Sequence, residues 1–298
     1  MTEARLSGVI AAIATAVEDD GEPDCARSTA FAKFLLDHGC DALNVLGTTG
    51  EATSFSTEQR RKLMTAYRQA GLPMERLMVG TGAAAVRDAV ELTRHAAELG
   101  FAAALVLPPF YYKGIADDGL VAYLEAIVAA TRHRPIPIYL YHFPALSGIP
   151  WHVGLLGRIV STFGSRIAGL KDSSGELGFA RAAAAVAPGF AVFPSNEAAL
   201  LEARNGPFAG CISATVNLNA DLCARAYASG DAVALEAAVK IRKLLDGKPL
   251  VAGVKALIAH IHADAAWARV MPPLTAFSAA DRAGAVAGYD AVRARRVA

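Results

Sequence analysis

Eight short apolar runs recur along the chain, separated by longer stretches of helical spacing. The runs are GVIAAIATAV (8–17), ALNVLG (42–47), RLMVGTG (76–82), AALVLPP (103–109), PIYLYHFP (137–144), IAGLKDSS (167–174), FAVFPSN (190–196) and GCISATVN (210–217). Each is nearly continuous in apolar residues rather than alternating, as expected of parallel strands in a sheet covered on its outer face. Between them, STEQRRKLMTAYRQAG (56–71) opens on a Ser/Thr cap and a Glu and closes on Gly, the expected start and stop of a helix. AVRDAVELTRHAAELG (85–100) repeats apolar residues at helical spacing and also ends on Gly. DDGLVAYLEAIVAATRH (117–133) places acids first and bases last, matching the helix dipole.

Eight strands, each followed by a helix, predict a (β/α)8 TIM barrel. After the eighth run the pattern turns wholly helical, in DAVALEAAVKIRKLLDG (231–247), VAGVKALIAHIHAD (251–264) and SAADRAGAVAGYDAVRARR (278–296). The expected organisation is therefore a barrel catalytic domain over 1–225 and a C-terminal helical extension over 226–298. With 298 residues, 54% of them hydrophobic, the chain can fill one large core.

Charge and cysteine usage narrow the partners. The net charge is +1 with no basic block, which argues against nucleic acid. Cys25, Cys40, Cys211 and Cys223 form no C-x-x-C pair and read as reduced thiols. The start, MTEARLSG, carries an acid and lacks a charged-then-apolar signal pattern. No apolar run reaches the roughly 18 residues of a membrane span. A cytoplasmic location with no membrane partner is expected.

In such barrels the active site lies where the strands end. Those ends carry Thr48, Thr49, Gly50 and Glu51; Phe110, Tyr111 and Tyr112; Tyr141; Lys171; Asn196 and Glu197; and Ser213. Lys171 closes the apolar run RIAGL. Burial in an apolar wall strips hydration from an ammonium group and favours the neutral amine. A neutral amine attacks a ketone to form a Schiff base, whose electron demand lets a neighbouring carbon–carbon bond break or form. The blander reading is a salt bridge to Asp172, but adjacent strand residues face opposite ways. Tyr141, one strand earlier, is placed to carry protons to and from the carbonyl oxygen; by alternation it shares a face with Tyr139 and Phe143. The GTTGE turn offers hydroxyls and backbone N–H groups suited to a carboxylate. It is not a dinucleotide fingerprint. His260 and His262 are two apart on a helix and make poor metal ligands, so no metal is expected.

These residues together resemble the dihydrodipicolinate synthase / N-acetylneuraminate lyase family of class I pyruvate-dependent aldolases. GTTGE, YHFPALSG in place of the family's Y-N-x-P segment, GLKDSSG around the lysine and the helical tail carry the resemblance over nearly the whole chain. It implies a Schiff base on Lys171, a proton relay through Tyr141 and a keto-acid carboxylate held at Thr48 and Thr49. It also implies a tyrosine, Tyr111 or Tyr112, lent across a dimer interface, a homotetramer built from dimers, and no cofactor beyond the lysine imine. The synthases carry an arginine where this chain has Leu146, and leucine cannot grip a second carboxylate. PALSG is similar to the N-acetylneuraminate lyase version, in which side chains at positions like Asn196 and Glu197 bind sugar hydroxyls. Two further departures are His142 for the usual asparagine and ATAV (14–17) for the usual T-P.

The leading expectation is a lyase that releases or condenses pyruvate, with a 2-keto-3-deoxy sugar acid or an N-acetylneuraminate-like compound as its substrate. The alternatives are 4-hydroxy-tetrahydrodipicolinate synthase, an imine-dependent dehydratase or deaminase, and a non-catalytic barrel that binds a keto acid.

Overall fold

The computed structural model describes residues 6–294. Strand and helix alternate in the expected order. The first half comprises β1 (Gly8–Ala12), α1 (Cys25–Asp37), β2 (Ala42–Val45), α2 (Thr57–Gln69), β3 (Leu77–Gly80), α3 (Val86–Leu99), β4 (Ala103–Val106) and α4 (Asp117–Ala130). The second comprises β5 (Ile138–His142), short α5 (Pro144–Ser147), α6 (Val153–Phe163), β6 (Ile167–Asp172), α7 (Leu177–Ala184), β7 (Ala191–Pro194), α8 (Leu200–Arg204), β8 (Gly210–Ser213) and α9 (Val216–Ser229). Three more helices follow: α10 (Ala232–Lys243), α11 (Leu250–Ile261) and α12 (Ala279–Ala294).

The eight strands form one parallel sheet in the order β7-β6-β5-β4-β3-β2-β1-β8. The seam between the two ends of that order is tied by Ala209, whose N–H donates to the Val192 carbonyl at 2.9 Å. This is the (β/α)8 barrel that the run pattern predicts.

Alternation sorts each strand into two cores. Ile10, Ala12, Ala42, Met78, Leu105, Tyr139, Tyr141, Phe193 and Ile212 fill the barrel interior. Val9, Ala11, Leu43, Val45, Val79 and Val106 face outward into the helix layer. Both faces are dry, so both select apolar residues, and the strands read as continuous runs. Gly169 marks one tight spot: a Cβ there would stand 2.0 Å from the Ala191 carbonyl oxygen. Its absence lets β6 and β7 close beside the Tyr139 ring.

The ends of the elements depart from the sequence pattern. β1 stops at Ala12 rather than at residue 17, because polar groups beyond it take over its backbone. Asn217 accepts the Ala14 N–H at 3.1 Å, and Thr15 donates to the Gly50 carbonyl at 2.9 Å. The ATAV segment is therefore a loop that braces its neighbours. α2 has the expected cap at Ser56, but the reciprocal partner is Gln59 rather than the glutamate. The bases expected at the end of α4 lie beyond it, since the helix ends at Ala130. Val216 and Asn217, read as strand, begin α9, which runs to Ser229 and so carries residue 225 within it. Of the last expected helix, residues 295 and 296 lie outside the described residues.

Two ionic contacts, one wholly buried and one partly so, fasten the C-terminal helices to the barrel rim. Lys255 of α11 and Glu51, at the end of the GTTGE turn, are both wholly buried and paired with each other. The second Glu51 oxygen accepts the Met271 N–H at 2.6 Å. Arg242 of α10 reaches Glu197 at 3.2 Å.

Removing one partner of a buried pair strands the other charge, at a cost of about 3–5 kcal/mol. Lys255→Met is expected to lower the unfolding free energy by about that much in chemical denaturation. The double variant Glu51→Gln/Lys255→Met is expected to regain most of the loss, because neither charge is then left buried. Equal losses in the single and double variants would remove the ion pair as the cause.

Candidate active site

β5 and β6 lie side by side with Tyr141 directly opposite Lys171. The two share the barrel interior, and Lys171 is only 3% exposed. Its Nζ stands 4.4 Å from the centroid of the Tyr141 ring, so the amine packs on the aromatic face. The Tyr141 hydroxyl lies 3.2 Å from the Thr48 hydroxyl on the turn after β2. Lysine, phenol and threonine thus form one cluster from three strands that are distant in sequence. Tyr141 is steadied from behind, where Trp151 Nε1 donates to its carbonyl at 3.1 Å.

The turn that carries Thr48 is tightly wound. Leu46 (φ 52) and Glu51 (φ 54) bracket it, both in the left-handed region that side chains other than glycine rarely occupy. Such conformations cost free energy and persist only when their surroundings enforce them. Here the buried Glu51–Lys255 pair supplies that enforcement. Gly47 must be small for a different reason. A Cβ there would stand 2.8 Å from Asn44 Oδ1 and 4.0 Å from Lys171 Nζ. The lysine therefore reaches across the barrel to the foot of the GTTGE turn. Beside it opens a cleft of about 320 Å³, mouth included, lined by Gly47, Thr48, Thr53, Arg60, Leu107 and Tyr141 among others. Thr49, the next residue of the turn, is buried, and the Gly50 carbonyl is held by Thr15.

The other expected site residues are placed elsewhere. Ile212 faces the barrel interior, so its neighbour Ser213 faces the helices. Ser213 Oγ donates to Glu197 at 2.8 Å, and Thr215 donates to the same carboxylate at 2.5 Å. Asn219 and Arg242 complete the shell, at 3.1 and 3.2 Å. Glu197 is thus fully buried and its oxygens are spoken for by groups of this chain. The structure corrects Glu197 and Ser213 from substrate-facing groups to a polar knot that anchors α10. Asn196 spends its Oδ1 on the Ala198 N–H at 3.0 Å. It lines a separate hollow with Asp172, Ser195 and Leu177, on the α7 side of the wall. Tyr111 and Tyr112 stand in solvent, 75% and 73% exposed, packed edge-on against each other. Leu146, 59% exposed, also lies at the surface. Within one chain these three do not join the lysine cluster.

Asp172 turns away from the site, as alternation requires, and lies 4.0 Å from His142 Nε2 on the outer face. Burial pushes the Asp172 carboxyl up, against the pull of its bonds from Ser174. His142 accepts the Trp151 N–H at Nδ1, at 3.1 Å, which fixes its proton on Nε2. Burial lowers its pKa from 6.5 to about 4.

Several participants escape sequence reasoning. Arg60 comes from a helix and donates to the Gly80 carbonyl at 2.8 Å and the Gly82 carbonyl at 3.2 Å, holding the β3 rim. Lys255 lies in the extension, more than 200 residues from Glu51. Nothing in local spacing links such pairs. Asn44 is different, because it is a polar residue on the inward-facing register of β2, and alternation alone could have found it.

An α/β barrel with a buried lysine amine in its interior, flanked by a tyrosine and a threonine hydroxyl, is an arrangement suited to a class I lyase or aldolase. The comparisons agree. The model of the dihydrodipicolinate synthetase family matches residues 5–286. An uncharacterized DapA-like lyase of Chloroflexus aurantiacus is 33% identical over 215 residues, covering 72% of this chain and 71% of that protein. The crystal structure of dihydrodipicolinate synthase from Agrobacterium tumefaciens superposes with a TM-score of 0.88 at 28% identity, covering 96% of this chain and 99% of that one. YagE, a prophage protein of the same family from E. coli K12 solved in complex with pyruvate, shares the fold with a TM-score of 0.88 at 23% identity, over 97% and 99% of the two chains. The chain belongs to the dihydrodipicolinate synthetase family. Among the described residues no helix is long and apolar enough to cross a membrane.

The His142 shift carries a pH prediction. Between pH 6.5 and about 4 the unfolded chain binds a proton that the folded chain refuses. The stability owed to neutral His142 is complete above that window and is lost as pH falls through it. Asp172, with its raised carboxyl, acts in the opposite sense. His142→Asn keeps an acceptor for Trp151 and does not titrate. Its Tm is expected to drop less than the wild type's between pH 7 and pH 5, by about 2–4 °C. Parallel Tm–pH curves would clear His142 of this role.

Proposed function

We propose that this enzyme cleaves or forms a carbon–carbon bond beside the keto group of a 2-keto acid, through an imine on Lys171, with pyruvate as the released or condensing partner. The observation that carries the reading is the cluster of Lys171, Tyr141 and Thr48 in the barrel interior.

The amine lone pair of Lys171 attacks C2 of the keto acid. The carbonyl oxygen takes a proton and becomes the hydroxyl of a carbinolamine. That hydroxyl takes a second proton from Tyr141 and leaves as water, while the nitrogen lone pair closes the C=N bond. The protonated imine accepts the C3–C4 bonding pair: the C4 hydroxyl returns a proton to Tyr141, the C3–C4 bond breaks, the C4 fragment leaves as an aldehyde, and an enamine remains. Protonation at C3 and return of water release pyruvate. Thr48, bonded to Tyr141, gives the phenol a route for replacing its proton, and the GTTGE turn supplies N–H and hydroxyl groups for the carboxylate. The imine itself is the electron sink, so the proposed chemistry uses neither a metal nor an organic cofactor.

For the second half of the substrate, Leu146 is the informative residue. It lacks the guanidinium with which the synthases grip the carboxylate of aspartate semialdehyde, and it favours a neutral, hydroxyl-rich tail such as a 2-keto-3-deoxy sugar acid or an N-acetylneuraminate-like compound. Asn196 and Glu197 add nothing to that preference, given where they lie. The family's named synthases support a second reading, condensation of pyruvate with aspartate semialdehyde. Expulsion of a β-substituent from the same enamine would make the enzyme a dehydratase. We further propose a cytoplasmic homotetramer built from dimers, in which the exposed Tyr111–Tyr112 pair meets a neighbouring copy.

Borohydride reduction in the presence of pyruvate is expected to leave a stable adduct that peptide mapping places on Lys171. Lys171→Ala is expected to abolish both adduct and turnover. Tyr141→Phe is expected to keep the lysine but slow turnover by about 10²–10⁴-fold, the usual worth of a positioned acid–base group. A folded wild-type protein that yields no adduct sinks the pyruvate-imine reading.

A further inference from the structure

Asn44 is a buried polar side chain of the barrel interior that the cluster above does not use. It pairs in the sheet with Ala12 on one side and Met78 on the other, both inward-facing. Alternation from Ala42 turns it inward as well. It is 0% exposed, and neither its Oδ1 nor its Nδ2 meets a hydrogen-bonding group of the described residues. A buried amide with no partner is costly, and native structures keep few of them. The inner-face residues of β1 to β4 around it, Ile10, Ala12, Ala42, Met78, Ala103 and Leu105, offer it nothing polar.

Its position relative to the lysine is informative. Asn44 Oδ1 lies 2.8 Å, and Lys171 Nζ 4.0 Å, from one and the same point beside Gly47. Both atoms therefore border the same small space at the foot of the GTTGE turn, and they are not bonded to each other. An oxygen carried on a carbon bonded to the lysine nitrogen can come within a hydrogen bond of about 2.8 Å of the amide there. The oxygen that the lysine chemistry brings into this space is the one bonded to C2, next to the lysine nitrogen.

Building on the imine chemistry proposed above, we propose that the Asn44 amide holds the oxygen on the substrate's C2 while it leaves as water, and holds the returning water when the imine is hydrolysed. Asn44 is then a catalytic residue. In the carbinolamine, Oδ1 accepts the C2 hydroxyl proton and Nδ2 donates to an oxygen lone pair. The C2–O bond breaks with its electron pair, the oxygen takes the Tyr141 proton, and the nitrogen lone pair forms C=N. Ketone, amine and one proton become protonated imine and water. Hydrolysis runs the same steps in reverse. The amide neither gains nor loses a proton; it fixes the oxygen on the floor of the site while Tyr141 delivers protons from the ring side.

Loss of C2 oxygen label isolates this step. Pyruvate carrying 18O at C2 exchanges its label with solvent once per cycle of imine formation and hydrolysis. The wild type is expected to exchange above the uncatalysed rate. Asn44→Leu, which keeps the branched shape and removes both polar atoms, is expected to exchange about 10²-fold more slowly, as when one oriented polar group is removed from a reacting oxygen. The borohydride-trapped yield at long incubation should match the wild type, because a catalyst of dehydration changes the rate and not the balance. The Tm should hold or rise by about 2–4 °C, since an unpaired amide has left the core. Asn44→Ala, assayed identically, covers a failure of the leucine variant to fold. Wild-type exchange rates in a variant overturn the proposal. So does an effect confined to KM, which marks a group that only binds substrate, or a fall in Tm that tracks the lost exchange, which marks a packing role. A wild type with no exchange and no adduct overturns the imine reading itself, and this inference with it.

Discussion

The pairing of Tyr141 with Lys171 across β5 and β6 is the contact around which the rest of the site is arranged. A lysine aimed into a barrel interior has few places for its ammonium to go, because the surrounding layers are alanine, leucine and aromatic rings. The aromatic face at 4.4 Å gives it a neighbour that attracts a cation without bonding to it. An acid in that place would neutralise the amine in a salt bridge and take its lone pair out of use. Asp172, the nearest acid in sequence, is kept out by alternation alone. The same register that pairs Tyr141 with Lys171 pairs His142 with Asp172 one step on, on the far side of the wall. One strand pairing therefore sorts two polar pairs into two compartments, a reactive one inside and a bracing one outside.

What lies at the rim also depends on parts of the chain that never touch the amine. The GTTGE turn is held in a strained shape by Glu51, and Glu51 is held by Lys255 of the C-terminal extension. Arg242 of α10 meets Glu197 after β7 in the same way. A buried ion pair adds little net stability, since desolvation offsets attraction. What it fixes is position, because neither charge can move without being left alone. The extension is thus more than a helical cover: two of its side chains set the loops of the catalytic rim.

This division explains what could be read from the sequence. The barrel was legible because strands buried on both faces spell continuous apolar runs, and Lys171 and Tyr141 were legible because each interrupts such a run at its end. Glu197 and Ser213 were misplaced because position at a strand end was used without direction: Ile212 faces in, so Ser213 cannot. The Glu197 knot draws on Thr215, Asn219 and Arg242, whose meeting depends on the α9 kink at Asn219, and no local pattern encodes it. Strand ends were overrun for a similar reason. Residues 13–17 carry one polar side chain, and bonds to distant groups, among them Ala14 to Asn217, Thr15 to Gly50 and Ala16 to Ser28, turn them into a loop.

Asn44 shows the opposite case, a polar residue that simple alternation turns into the barrel interior within a run otherwise as apolar as any buried strand. On stability grounds an aliphatic residue belongs there, as at Ala12, Ala42 and Met78 around it. An amide without a partner raises the free energy of the resting fold, and cores shed such groups unless another state uses them. The cost is borne before substrate arrives and offset when an oxygen sits between Asn44 and the lysine. Such an arrangement favours the carbinolamine over both the empty site and the finished imine, which has no oxygen on C2 to hold. That is how a group lowers a barrier on the way to and from the imine without trapping it.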